Sequence, residues 1–264
     1  MSELDFANNN KDLGQHWLND FASLHAIVEL AELKPSDNVL EIGPGPGALT
    51  EQLLNQATQV VAVEIDQALI SRLGKRFSDR SNLTIVNSDI RHFDFSHLPL
   101  GYKVVANIPY YLSGYLIRRL SETSNPPSLC VLLVQKEVAE RLSATPGKLS
   151  LLGVTAQAYW EVDLGLIIPA HLFSPAPKVD SQVVRLTRRK KIQVPDNLSE
   201  QFFGLINTAF NQRRKTLANS LSAGLNLDKQ TVANYLHSSG IAPRCRPQEL
   251  SLNEWIKLTQ AIYT

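Results

Sequence analysis

Cysteine is almost missing from this chain: Cys130 and Cys245 are the only two among 264 residues. They form neither a C-x-x-C pair nor a zinc quartet. No uninterrupted apolar run reaches membrane-spanning length and mean hydropathy is −0.11, so no membrane partner is expected. Glycine (13) and proline (14) are too sparse for a collagen-like or low-complexity chain. The opening stretch MSELDFANNNKDLG is polar and carries acids, unlike a secretory signal or a transit peptide. With so few thiols, this points to a reducing, cytoplasmic setting. What the chain has in quantity is core material: 44% hydrophobic against 19% charged residues, enough for one large domain or two modest ones.

Net charge is also scarce, a formal +1, but it is unevenly spread. Residues 1–187 hold 15 Lys and Arg against 20 Asp and Glu, a net of −5, whereas residues 188–264 hold 11 against 5, a net of +6. An acidic body with a basic tail suggests contact with nucleic acid or another acidic surface. The local extremes are Arg185-Leu-Thr-Arg188-Arg189-Lys190-Lys191 and Arg213-Arg214-Lys215. Solubility and helix-end charges are the plainer reading of the same residues.

Short β-branched runs alternate with helical patterns through about two thirds of the chain. Strands are predicted at Asn38–Ile42, Gln59–Ile65, Leu83–Asn87, Lys103–Ala106 and Leu129–Val134, with helices at Leu49–Gln56, Gln67–Phe77 and Gly114–Ser121. Near-continuous apolar strands separated by helices imply a parallel sheet covered on both faces. Leu164–Ile168 and Gln182–Thr187 predict an antiparallel edge pair, and Ser199–Ser222, Lys229–Ser238 and Asn253–Ile262 predict helices. The stretch Lys190–Asn197, with Pro195, reads as a linker. The expected organisation is an α/β domain over residues 1–190 and a smaller helical domain over 191–264.

The first chemical motif is Val39-Leu-Glu41-Ile-Gly43-Pro44-Gly45-Pro46-Gly47-Ala48, a strand feeding a glycine-rich turn that opens a helix. Glycines there let backbone approach a ligand without a Cβ in the way. The spacing also satisfies G-x-G-x-x-A, so the motif alone does not name the cofactor. Glu64 ends the second strand, 21 residues after Gly43, where a carboxylate suits a ribose diol. Asp89 ends the third strand and can accept from an adenine amino group. Ligands of open α/β sheets sit at the carboxyl ends of strands, so the three positions converge.

The fourth strand ends in Ala106-Asn107-Ile108-Pro109-Tyr110-Tyr111. An adenine N6 amine is a poor nucleophile because its lone pair is delocalised into the ring. The Asn107 side-chain oxygen and the Pro109 carbonyl can accept its two hydrogens and favour a pyramidal nitrogen. Tyr110 offers a ring on which an extruded base stacks.

These blocks resemble the rRNA adenine N6-dimethyltransferases, most closely the bacterial small-subunit (KsgA) type. The resemblance runs from Leu13 to the C-terminus. It includes Gly14-Gln15-His16-Trp17-Leu18, Gln135-Lys136-Glu137-Val138-Ala139-Glu140-Arg141-Leu142, Phe173-Ser-Pro175-Ala-Pro177-Lys178-Val179-Asp180-Ser181, Phe210-Asn-Gln-Arg213-Arg214-Lys215 and Arg246-Pro-Gln-Glu249-Leu-Ser251. It implies a class I (Rossmann-like) methyltransferase domain with a helical C-terminal domain, and S-adenosylmethionine as cofactor. His16 and Leu18 would lie against the methionine end, Gly43 and Gly45 under it, Glu64 on the ribose and Asp89 at the adenine. Asn107 would touch both cofactor and target amine, and Phe173 would form the second face of a base sandwich with Tyr110. Trp17 departs from the family's usual Phe, which bears on the order of the N-terminal lid. Lys178 and Arg185 are candidates for RNA phosphate.

The implied reaction carries methyl groups to N6 of two adjacent adenosines near the 3′ end of 16S rRNA, within the small ribosomal subunit or its precursor. The sulfonium drives it, so no metal is called for, and His25, His92, His97 and His237 lack metal-ligand spacing. The enzyme is expected to be monomeric. Three rival readings remain: a large-subunit rRNA methyltransferase of the antibiotic-resistance (Erm) type, a nicotinamide oxidoreductase on the same glycine turn, and a non-catalytic RNA-binding assembly factor.

Overall fold

A computed structural model describes residues 15–264, so Leu13 and Gly14 of the N-terminal motif lie outside the described residues. Among the described residues the strands are β1 (Trp17–Leu18), β2 (Asn38–Ile42), β3 (Gln59–Glu64), β4 (Leu83–Asn87), β5 (Lys103–Asn107), β6 (Leu129–Gln135), β7 (Trp160–Ile168), β8 (Phe173–Ser174) and β9 (Ser181–Arg188). The helices are α1 (Phe21–Leu30), α2 (Ala48–Leu54), α3 (Gln67–Arg76), α4 (Ser113–Glu122), α5 (Lys136–Leu142), α6 (Leu151–Tyr159), α7 (Ser199–Phe210), α8 (Leu217–Leu225), α9 (Lys229–Ser238) and α10 (Leu252–Tyr263). None of these helices is long and apolar enough to cross a membrane.

Seven strands form one sheet in the order β4-β3-β2-β5-β6-β9-β7. The run from β4 to β6 is parallel, and β9 returns antiparallel to β6 with Leu132 opposite Val184. The strand order reverses beside β2, whose sequence neighbour β3 lies on one side and β5 on the other. That is the switch point at which open α/β sheets leave a crevice. β6 explains why the pattern was legible: Leu129 to Val134 are all buried, as a strand covered on both faces requires. Each such aliphatic side chain contributes roughly 1.5–3 kcal/mol by leaving water. Helix starts are capped from the sequence. Asp20 accepts Ser23 N at 2.8 Å, Asp66 accepts Ala68 N at 2.9 Å, and Ser251 with Glu254 makes a capping box at α10.

The chain divides into two compact units: residues up to Ala139 with Glu161–Arg188, and Glu140–Trp160 with Arg189–Thr264. The sequence pattern had put residues 140–160 with the sheet. In the structure α6 packs with α7 and α10 of the helical unit, whose buried centre includes Phe202, Leu205, Leu236, Trp255 and Leu258.

Two of the predicted elements differ markedly in extent. The single helix expected over Ser199–Ser222 is two, α7 and α8, parted by a turn at residues 211–216 in which Lys215 N donates to Gln212 O (2.8 Å) and Leu217 N to Cys245 O (2.6 Å). β7 begins at Trp160 rather than Leu164. A second, two-stranded sheet pairs β1 with β8, placing Trp17 opposite Ser174 and Leu18 opposite Phe173.

Candidate active site

The turn after β2 adopts left-handed backbone at alternate residues, with φ of +65° at Gly43 and +56° at Gly45. A side chain at Gly45 would lie 3.1 Å from the Trp17 indole, whereas one at Gly43 would meet nothing within 4 Å. Gly45 is therefore closed by the β1 segment, and Gly43 faces open space. That space belongs to a cavity lined by the turn, by His16 and Leu18, by Glu64 and Asp89, and by Asn107, Pro109 and Tyr110. Phe173 is not among its lining residues; it is buried in the hydrophobic core beside Leu18.

The strand-end acids are in different electrical states. Glu64 is buried, and its carboxylate accepts backbone N–H bonds from Ile65 (2.9 Å), Asp66 (3.0 Å) and Gly45 (3.3 Å). Burial raises its pKa, against the pull of those three donors. Asp89 goes the other way. Arg91 forms an ion pair with it at 2.6 Å and donates its backbone N–H at 2.8 Å, holding the carboxyl below its usual range.

A third acid of the glycine-turn motif joins these two. Glu41 sits inside β2 with 1% of its surface exposed, lines the cavity, and has no hydrogen-bond partner on either carboxylate oxygen. Burial pushes it up to about 8, with the charge of Glu64 adding to the rise. Its signal was available: a lone acid within Val39-Leu40-Glu41-Ile42, where both neighbours are apolar.

At the end of β5, Asn107 Nδ2 donates to His16 O at 3.0 Å. This bond fixes the amide, leaving Oδ1 as the atom able to accept. The Pro109 carbonyl takes Leu112 N at 2.9 Å, which occupies one of its two lone pairs. The Tyr110 ring lies against the His16 imidazole, with centroids 5.6 Å apart and planes 21° from parallel. The imidazole is itself anchored, with Nδ1 2.7 Å from Pro175 O. Tyr110 Oη and Ser181 Oγ share a hydrogen bond of 2.7 Å.

A sequence model of the family described as "Ribosomal RNA adenine dimethylase" matches residues 6–263. The chain belongs to this family. A dimethylase of this kind is a methyltransferase, which removes the nicotinamide oxidoreductase from consideration. The chain is 38% identical to "Ribosomal RNA small subunit methyltransferase A" of Dehalococcoides mccartyi strain 195, over 96% of this chain and 88% of that one. It is 39% identical to the protein of the same name from Clostridium botulinum strain Langeland, over 96% and 94%. Among solved structures, a dimethyladenosine transferase from Plasmodium falciparum superposes with a TM-score of 0.77 at 28% identity, covering 92% of this chain and 96% of that one. The 23S rRNA methyltransferase ErmE superposes with a TM-score of 0.76 at 27% identity, covering 94% and 100%. The Rossmann-like methyltransferase fold expected from the motifs is the fold of this rRNA adenine dimethylase.

The basic stretches of the sequence meet different fates. Arg185 is ion-paired to Glu32 at 2.6 Å, Arg188 Nη1 donates to Ser121 O and Arg189 Nε to Gln157 O, both at 3.0 Å. Lys178 is exposed and stands outside the cavity. Arg213 and Arg214 lie on the turn between α7 and α8 rather than on a helix, and in the helical unit they line a concavity with Arg141, Lys148 and Arg246.

Proposed function

We propose that this dimethylase transfers methyl groups from S-adenosylmethionine to N6 of two adjacent adenosines near the 3′ end of 16S rRNA, in the small subunit or its precursor, giving N6,N6-dimethyladenosine. One observation carries the reading. A single cavity joins the glycine turn and its carboxylates to the Asn107–Tyr110 segment, so a donor site and an acceptor site for a flat amine meet in one place.

The residues fit the methyl donor. Open space lies beside Gly43, and the buried Glu41 carboxylate, with both oxygens unpartnered, faces a cavity that would hold a cation. Gly43 and Gly45 would hold the methionine end together with His16 and Leu18, Glu64 the ribose, Asp89 the adenine, and Asn107 both donor and target. When bound, the donor supplies an electrophilic methyl on a sulfonium. The chain's own part is orientation. Asn107 Oδ1 and the remaining lone pair of the Pro109 carbonyl accept the two amine hydrogens, which turns the nitrogen lone pair out of conjugation before any proton leaves. After each transfer the cationic nitrogen loses one proton to water, so the second transfer starts from an amine with one hydrogen. Tyr110 carries the extruded base on its ring face. That this face accepts a flat heteroaromatic is supported by the imidazole already stacked there. Only the resemblance supports Phe173 as a second face, since it is buried in the core beside Leu18 and does not line the cavity.

The cations of the Arg213–Arg214 concavity, with no acid among its described lining residues, are proposed to take RNA phosphates. Identity of 38–39% to small-subunit enzymes, against 27% to a large-subunit one, favours the small subunit. A ribosomal substrate puts the enzyme in the cytoplasm. Incubation with immature small subunits and methyl-labelled S-adenosylmethionine, followed by mapping of the label, tests the reading. Two adjacent adenosines near the 3′ end are expected, and label confined to large-subunit RNA, or none, overturns it.

A further inference from the structure

Tyr110 begins a single helical turn, Tyr110–Leu112, directly after β5. A tyrosine so placed turns about two side-chain torsions, yet a stacking surface is useful only if its plane is defined before the base arrives. The backbone end is held by the Leu112 N to Pro109 O bond of 2.9 Å. The far end is held by Ser181, whose hydroxyl lies 2.7 Å from Tyr110 Oη and whose surface is 0% exposed.

Ser181 is itself immobilised. It opens β9 and pairs with Gln135 at the end of β6. The preceding residue, Asp180, accepts Lys136 N on its carbonyl and Ala170 N on its carboxylate, each at 3.0 Å. β6 in turn pairs with β5, where Asn107 stands opposite Leu133. The anchor of the ring and the amide that faces the amine are thus built on one rigid sheet, β9 and β5 flanking β6.

We propose that Ser181 is a positioning residue for methyl transfer: its buried hydroxyl sets the plane of the Tyr110 ring through their shared hydrogen bond. The claim rests on the adenine-methylation reading above. Burial pushes the Tyr110 phenol above its ordinary value, so it remains a neutral partner for Ser181 throughout the working range. A merely space-filling serine would matter for stability alone. A positioning one matters for turnover, and only while the phenol is present.

The experiment is a double-mutant cycle on the full-length enzyme with small subunits, read as kcat and KM for RNA at saturating cofactor. Ser181→Ala is expected to lower kcat by about three- to tenfold, the weight of one neutral hydrogen bond, with cofactor affinity unchanged. Ser181→Thr should restore most of it. Tyr110→Phe removes the same bond without touching β9 and should match Ser181→Ala, and the double variant should be no worse than either. A second readout needs no turnover: 2-aminopurine at the target position should be less quenched by either single variant. Additive losses in the double variant, or wild-type kcat and quenching in both singles, overturn the proposal while wild-type methylation stands. If the wild type methylates no adenosine, the functional reading fails first and the role of Ser181 falls with it.

Discussion

The two ends of the cavity are built from opposite materials. The glycine-turn end consists of bare backbone and three acids: Glu41 pushed up to about 8, Glu64 raised by burial, and Asp89 lowered by Arg91. The other end has a primary amide, a proline carbonyl, a phenol and an imidazole, tied by hydrogen bonds between 2.7 and 3.0 Å. Carboxylates in a low-dielectric wall favour a cation. Neutral acceptors orient an amine without competing for its proton. On the proposed roles, substitutions at one end should leave a different signature from those at the other, with Asn107, which would touch donor and target alike, between them.

The largest effect is expected at Asn107. Asn107→Ala should lower single-turnover methylation by roughly 10²–10³, the usual cost of one lost transition-state hydrogen bond. The same change frees His16 O, so cofactor affinity must be measured in parallel and saturated. Full single-turnover rate under those conditions would erase the distinction between the two ends. Glu64→Ala should act on binding, weakening S-adenosylmethionine by roughly 2–4 kcal/mol, as calorimetry would read. An unchanged affinity would take Glu64 out of the donor site.

Glu41 gives a test without ligand. With its folded pKa raised to about 8 from an ordinary 4.5, the folded protein keeps a proton that the unfolded chain releases between those values. The unfolded state therefore binds fewer protons in that window, and stability should fall as pH rises from about 4.5 to 8. Glu41→Gln should remove this slope and raise the melting temperature at pH 8, with little change at pH 5. Parallel pH profiles for both proteins would show that Glu41 titrates normally. The smallest effect belongs to the helical unit. Charge reversal at Arg213 and Arg214 should reduce the salt dependence of subunit binding by about one unit of slope per lost phosphate contact. The same reversal at Arg188 and Arg189 should lower the melting temperature instead, since those side chains hold carbonyls of Ser121 and Gln157.

The parallel strands were legible because β-branched runs buried on both faces leave little ambiguity. β2 and β4 fall on their predicted bounds, and β3, β5 and β6 within a residue. β7 was half hidden because Glu161 and Asp163 stand on it, and acids on a strand at the sheet's edge read as loop. The break between α7 and α8 has no glycine or proline to announce it; the backbone bond from Leu217 to Cys245, distant in sequence, helps set it. The cavity-lining residues were legible through strand ends and a family motif. Ser181 was not legible, because a serine at a strand start carries no mark of the tyrosine it meets.

The helical unit is written in two separate pieces of sequence, 140–160 and 189–264. At the level of the gene, this means that no single junction excises it. A stop codon after Arg188 would not yield a trimmed sheet unit. It would leave α6 translated but deprived of α7 and α10, with Tyr159, now buried and stacked on Phe203 of α7, turned into a sticky surface on the fragment. Recombination that transplanted the tail alone would carry the same fault into its new host. The two pieces must be inherited together, and a chimera of this enzyme calls for two crossovers and a matched α6.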